Sequence, residues 1–282
     1  MGSAPSTSIK KRVYRHSALV RVTHWLNAAS LLVLLLSGLN IFMAEPALYF
    51  GQASTFAHPL AAIEARRSAS GALFGEVKLG DARIITTGLL GVSPDMTGHP
   101  QARAFPRWMT LPASRDLATA RRWHFFFAWM LVFNAALYGV NAVLSGHFKR
   151  DIALRRGELG EVPRSIMDHL RLRHPTGEAA ATYNVLQKIA YIAVLLILVP
   201  GMVITGLAMS PGIDAVLPFL TFVLGGRQTA RSLHFLCAWS LVGFFLIHML
   251  AMVMAGPINE MRSIITGWYT LPRDHDTEEE AA

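Results

Sequence analysis

Four stretches of this chain are apolar for about 20 residues each, and that length constrains the fold more than any other feature. They run from Val22 to Met43, Phe125 to Leu144, Ile189 to Met209 and Leu233 to Ala255. At a rise of 1.5 Å per residue each covers roughly 30 Å, the hydrocarbon thickness of a bilayer. Lipid offers backbone N–H and C=O groups no partner, so each run is expected to be a helix that closes its own hydrogen bonds. Composition agrees: 16% of residues are charged, against about 25% in a soluble domain. The fold class is therefore expected to be all-α, an integral membrane four-helix bundle.

Orientation follows from the basic residues. Lys10, Lys11, Arg12, Arg15 and Arg21 precede the first span, and Lys149, Arg150, Arg155, Arg156, Arg164, Arg171 and Arg173 lie between the second and third. The segment between the third and fourth spans holds only Arg227 and Arg231. Positive charge is retained on the cytoplasmic side. The expected arrangement is a cytoplasmic tail over 1–21, a transmembrane domain over 22–255, and an interfacial helix with a cytoplasmic tail over 256–282. Both termini and the 147–182 loop are then cytoplasmic, and the 45–122 insert is extracytoplasmic. The first apolar run continues into a full span without a small-residue cleavage site, so it is expected to be retained.

The 45–122 insert reads as a long loop segment, with a hairpin expected where Val77, Leu79, Arg83, Ile84 and Ile85 flank Gly80-Asp81. Ile166, Leu170 and Leu172 beside Arg164, Arg171 and Arg173 suggest a short interfacial helix, and a second is expected from about Ile258 to Trp268. The acidic run from Asp274 to Glu280 reads as a solvated tail. The net charge of +8 flanks apolar helices, which assigns it to headgroups and topology and argues against a nucleic-acid partner. The single cysteine, Cys237, lies inside a span; a disulfide framework, a CxxCH haem attachment and an iron–sulfur cluster are all excluded.

Ionisable residues inside a span are costly, so each is a candidate for function. Four histidines qualify: His24, His124, His234 and His248. His234 and His248 are 14 residues apart on one helix, close to four turns, so they share a face about 21 Å apart. One metal cannot use both, but two stacked sites can. Alternating topology puts His24 level with His248 toward the cytoplasm, and His124 level with His234 toward the outside. Each pair could ligate one haem through two imidazoles, inside a bundle suited to a central cofactor. Any one of them taken alone could instead be a helix–helix hydrogen-bonding residue. His16, eight residues before His24, is the competitor on the first span. Arg21, Arg121, Arg122 and Arg231 sit a few residues from these histidines and could pair with haem propionates or anchor at the interface.

Arg21-Val22-Thr23-His24-Trp25-Leu26-Asn27, Arg121-Arg122-Trp123-His124 and Arg231-Ser232-Leu233-His234 resemble the bacterial cytochrome b561 superfamily. This group includes the cytochrome subunits of nickel–iron hydrogenases, formate dehydrogenases and thiosulfate reductases. The likeness extends from Arg15 to Pro272 and is nearest to the thiosulfate-reductase-type branch. It implies two haem b groups in a bacterial inner membrane, quinone as exchangeable substrate, and a periplasmic molybdopterin oxidoreductase as partner. It also implies a quinone site near the inner haem at Tyr183-Asn184-Val185-Leu186-Gln187-Lys188, where Asn184 could bond a carbonyl and Gln187 or Lys188 could orient it or relay a proton. The same polar cluster could equally be an interfacial cap. The long insert departs from the simpler family pattern.

The function expected on this basis is an electron conduit from quinone at the inner haem to a partner at the outer haem, as a subunit of an oxidoreductase. Two other classes remain open. One is a stand-alone oxidoreductase acting on a diffusible species such as superoxide, and the other is a non-redox anchor or transporter. Whether the chain forms homo-oligomers is open as well.

Overall fold

The computed structural model describes residues 12–171 and 184–271. Lys10, Lys11, Leu172, Arg173, Tyr183 and the acidic run of the tail lie outside these. Among the described residues, four helices are long and apolar enough to cross a membrane: Ala18–Phe42, Leu117–Leu144, Val185–Met209 and Arg227–Met254. The second and fourth begin several residues earlier than hydropathy alone predicts. Arg121, Arg122, Arg227 and Arg231 are good helix formers whose charges mask those turns from an apolar count.

Hydroxyl groups inside the spans are satisfied on their own helix. Ser30 donates to the Leu26 carbonyl at 2.7 Å and Thr23 to that of Leu19 at 2.9 Å. The second span starts at Asp116, whose carboxylate accepts from the Thr119 N–H at 3.0 Å. The third begins with a capping box. The Asn184 side chain accepts from the Leu186 N–H at 2.8 Å, and the Gln187 side chain accepts from the Asn184 N–H at 3.1 Å. A π-helical turn at Val194–Leu198 precedes Pro200, which has no N–H to continue the ladder.

The chain divides into two compact units. One consists of Leu26–Asn134 and Leu198–Ser240. In it the insert, expected to be a loop, is largely a β-module. Strand β1 (Arg12–Tyr14) belongs to the other unit; strands β2 (Ala47–Leu48), β3 (Ala61–Arg67), β4 (Leu73–Leu79) and β5 (Ala82–Ile85) form an antiparallel sheet in that order. The hairpin expected at Gly80-Asp81 joins β4 to β5, with Leu79 opposite Ala82 and Gly80 at φ +56°. A second ribbon pairs Val92–Pro94 with Pro100–Ala102. Gly75 lies where a Cβ would collide with the Leu90 carbonyl, which is why no larger residue fits there. Phe105 and Ala104 bury against Leu39, Phe42 and Met43 of the first span. Phe42 also stacks on Phe235 of the fourth span, with centroids 4.8 Å apart. Asn40 donates to the carbonyls of Pro112 and Ser114 at 2.6 and 2.8 Å, closing the module onto the helix.

The second unit is built from the remaining described residues. Arg12–Tyr14 pairs antiparallel with Trp268–Thr270, and Arg15 bridges Glu260 at 3.3 Å. Helices occupy Val162–Leu170 and Pro257–Thr266, the two places where short helices were expected. Lys188 is buried and bonds Glu158 at 2.7 Å, and the Ser165 hydroxyl donates to Asn184 at 2.8 Å.

Candidate functional site: two imidazole couples

Each unit brings one pair of span histidines together. In one, the rings of His24 and His248 face each other with centroids 6.4 Å apart and planes at 54°. In the other, His124 and His234 stand 6.3 Å apart at 59°. These are the couples that spacing and topology suggest. His24, not His16, faces His248. His16 lies outside the span, where burial and then the Arg15 charge push its pKa down to about 4.

The surroundings of the couples differ. His124 Nδ1 lies 3.1 Å from the Ser37 hydroxyl of the first span. His234 Nδ1 lies 2.9 Å from the Thr205 hydroxyl of the third. Each hydroxyl is followed by a glycine against the same ring. A Cβ at Gly38 would stand 3.3 Å from His124 Cε1, and one at Gly206 would stand 3.5 Å from His234 Cε1. The rings therefore rest in notches that a larger residue would narrow. The sequence signal for these four residues is a repeated tripeptide, Ser37-Gly38-Leu39 in the first span and Thr205-Gly206-Leu207 in the third. It is a faint one, because a hydroxyl in a membrane helix ordinarily bonds its own helix. Among the described residues, His24 and His248 have no such hydroxyl partner. Trp25 and Phe244 pack against their rings instead.

The arginines divide in the same way. Arg21, Arg121 and Arg231 each lie three residues before a span histidine, one turn away on the same helix face. Arg21 donates to the Ile265 carbonyl at 2.6 Å, while its Nε is buried without a hydrogen-bond partner among the described residues. Arg231 is taken up by the β-module. It donates to the carbonyls of Ala47 and Glu45, lies 3.6 Å from the Glu45 carboxylate, and sits over the Phe42 ring. Arg122 bonds Thr119 at 3.0 Å, and Arg121 lies over Phe125. In the Asn184–Lys188 stretch, both amide oxygens serve the capping box and Lys188 serves Glu158. A cavity of about 220 Å³ opens elsewhere, lined by Met43, Ile63, Gly91, Arg103 and Arg115 among others; no histidine borders it.

The couples suit a haem iron. An imidazole nitrogen sits roughly 1 Å from its ring centre and binds a transition metal at about 2 Å, so two trans ligands hold their centroids about 6 Å apart. Both couples stand at that separation. Among the described residues no cluster of three or more His, Cys, Asp or Glu could hold a bare ion. Two axial donors are what a metal needs when a macrocycle fills its other positions. With one cysteine in the chain, attachment is non-covalent. The buried Nε–H of Arg21 is an unused donor on the helix that carries His24.

Comparison with known proteins gives the same direction. The family described as prokaryotic cytochrome b561 matches residues 15–267. A curated relative from Azospira oryzae, named "Putative protein-methionine-sulfoxide reductase subunit YedZ1", is 26% identical over 255 residues, covering 88% of this chain and 95% of the relative. No solved structure matches the chain.

Proposed function

Because the chain belongs to the prokaryotic cytochrome b561 family, we propose that it binds two haem b groups, on His24 with His248 and on His124 with His234, and carries electrons from quinol to a soluble reductase partner. Membership and the four spans make it a multi-pass bacterial membrane protein of haem b electron transfer. The observation that carries the two-haem reading is the pair of imidazole couples at one ring separation, 6.3 and 6.4 Å.

Bound haem b supplies reversible one-electron chemistry. The chain supplies position and environment. His24 and His248 hold one site, with Arg21 Nε free to pair a propionate. His124 and His234 hold the other, each braced by a hydroxyl. Apolar spans keep water from both and lower the local dielectric. The reading of the His24–His248 couple as the cytoplasmic one rests on the basic flanks of the first span and of the segment after the second. The β-module and the His124–His234 couple then face the outside.

Quinol delivers two electrons together with two protons, so its site needs polar groups beside an apolar slot. The Asn184–Lys188 stretch at the start of the third span offers them. Lys188 pairs there with the Glu158 carboxylate at 2.7 Å. The partner side rests on the relative's name, which describes a subunit for reducing oxidised methionine in proteins. A reductase of that class consumes electrons, so flow runs from quinol to the partner. A molybdopterin-type oxidoreductase is the partner the family resemblance suggests.

The test is haem quantitation on the purified chain, followed by a potentiometric titration with and without a quinone analogue. Two haems per chain are expected, with one titrating step moved by the analogue. Colourless protein, even when haem is supplied during expression, removes the proposal. Two haems that both ignore the analogue remove the quinone site alone.

A further inference from the structure

The hydroxyls of Ser37 and Thr205 each have one proton, and the helix takes it. Ser37 donates to the Val33 carbonyl at 2.6 Å, with the Leu34 carbonyl at 3.3 Å. Thr205 donates to the Gly201 carbonyl at 2.6 Å, with the Met202 carbonyl at 3.3 Å. A hydroxyl whose proton is committed can only accept from a second partner. The partner in each case is an imidazole Nδ1, at 3.1 and 2.9 Å. The hydroxyl facing each ring is therefore an acceptor.

We infer that Ser37 and Thr205 are positioning residues that fix His124 and His234 as Nδ1–H tautomers, aim both Nε2 lone pairs at one metal, and make that site harder to reduce than it would be without them. The inference rests on the functional reading above. An acceptor on Nδ1–H raises the basicity of the ligand, and a more basic ligand favours the ferric state. Gly38 belongs to the same device, because it lets its helix approach the His124 ring closely enough for the bond to form. The device occurs twice, on different spans, in one couple only. His24 and His248 lack it among the described residues.

The experiment uses the full-length protein with both haems loaded, and substitutions that separate size from acceptor. Thr205→Val keeps the shape and removes the acceptor, whereas Thr205→Ser keeps the acceptor. Ser37→Ala and Ser37→Thr make the same contrast on the first span. Each is titrated potentiometrically, and the haem assigned is the one that His234→Ala removes. Losing either hydroxyl is expected to shift that haem about tenfold toward the reduced form at fixed potential, which is about 59 mV for a one-electron couple. The hydroxyl-keeping variants are expected to match the parent, and the other haem not to move. Loss of that haem in Thr205→Val with retention in Thr205→Ser supports the inference equally, since only the acceptor differs in kind between the two. Equal behaviour of Thr205→Val and Thr205→Ser, or an equal shift in both haems, overturns it. Absence of haem from the parent protein would instead count against the functional reading.

Discussion

The two imidazole couples share a ring separation and almost nothing else. His124 and His234 are each locked by a hydroxyl from a neighbouring helix and seated against a glycine. His24 and His248 are held by aromatic packing, in a unit whose polar groups lie at helix ends: Arg15 with Glu260, Lys188 with Glu158, Arg21 with the Ile265 carbonyl. A rigidly oriented ligand pair suits a site with a fixed potential. A pair packed by aromatic rings, in a unit with ion pairs at its helix ends, fits the proposed exchange with a proton-carrying substrate. One residue type, histidine, thus stands in two different surroundings.

The largest effect should come from the ligands. His24→Ala or His248→Ala is expected to remove one haem of the two, and His124→Ala or His234→Ala the other. The reduced-minus-oxidised spectrum should fall by about half in each variant, with different residual band positions for the two sets. If any single variant empties both sites, the couples are one cooperative centre and the contrast between them is lost.

Next in size is the ion pair of the His24–His248 unit. Glu158→Gln leaves the Lys188 ammonium, with its side chain 8% exposed, without a counter-charge. The cost should be about 3 kcal/mol, the low end for breaking a buried pair. Lys188→Met removes the charge along with its need and should cost less. Thermal melts of the detergent-solubilised protein rank the two; a smaller loss for Glu158→Gln would show that the pair is solvated and not structural.

Glycine substitutions probe the other unit on a finer scale. Alanine gains about 1 kcal/mol of helix propensity at either position. At Gly206 the new Cβ meets His234 at an ordinary 3.5 Å, so Gly206→Ala should be neutral or slightly stabilising. At Gly38 the distance is 3.3 Å, and the His124 ring must yield. Overpacking of about 1–3 kcal/mol should outweigh the helix gain there. Equal stabilities for the two variants would mean that the notch at Gly38 is loose and does not hold His124.

What the sequence reveals and what it hides follow from the range of each interaction. The spans are legible because bilayer thickness demands a fixed apolar length, and the couples because His234 and His248 repeat at whole turns of one helix. The β-module over β2 to β5 is not, beyond its Gly80 hairpin. Its sheet is held by Phe105 on Phe42 and by Arg231 on the Glu45 and Ala47 carbonyls, contacts between residues far apart in the chain. Arg231 illustrates the cost of reading locally, since three residues from His234 it looks like a propionate partner or an interfacial anchor. The Asn184–Gln187 pair illustrates the converse, for its capping box is a four-residue pattern and is one of the two readings the sequence offers.

The smallest effect separates the units by their helix caps. Asp116 caps the second span, which presents His124, and Asn184 caps the third in the other unit. Bonds from the Thr119 hydroxyl and N–H hold the Asp116 carboxyl below its usual range. A carboxylate with a lowered folded pKa stabilises above its unfolded value of about 3.9, and that contribution disappears as pH falls through the lowered folded value. Asn184 carries no titrating group, so its cap is constant. Hydrogen exchange at the Thr119 and Leu186 amides, followed from pH 6 to pH 3 and corrected for intrinsic rates, should show protection falling at Thr119 only. Asp116→Ala should remove that pH dependence, whereas Asn184→Ala should cost about 1 kcal/mol at every pH. Parallel loss at both amides would assign the acid effect to global unfolding and not to the cap.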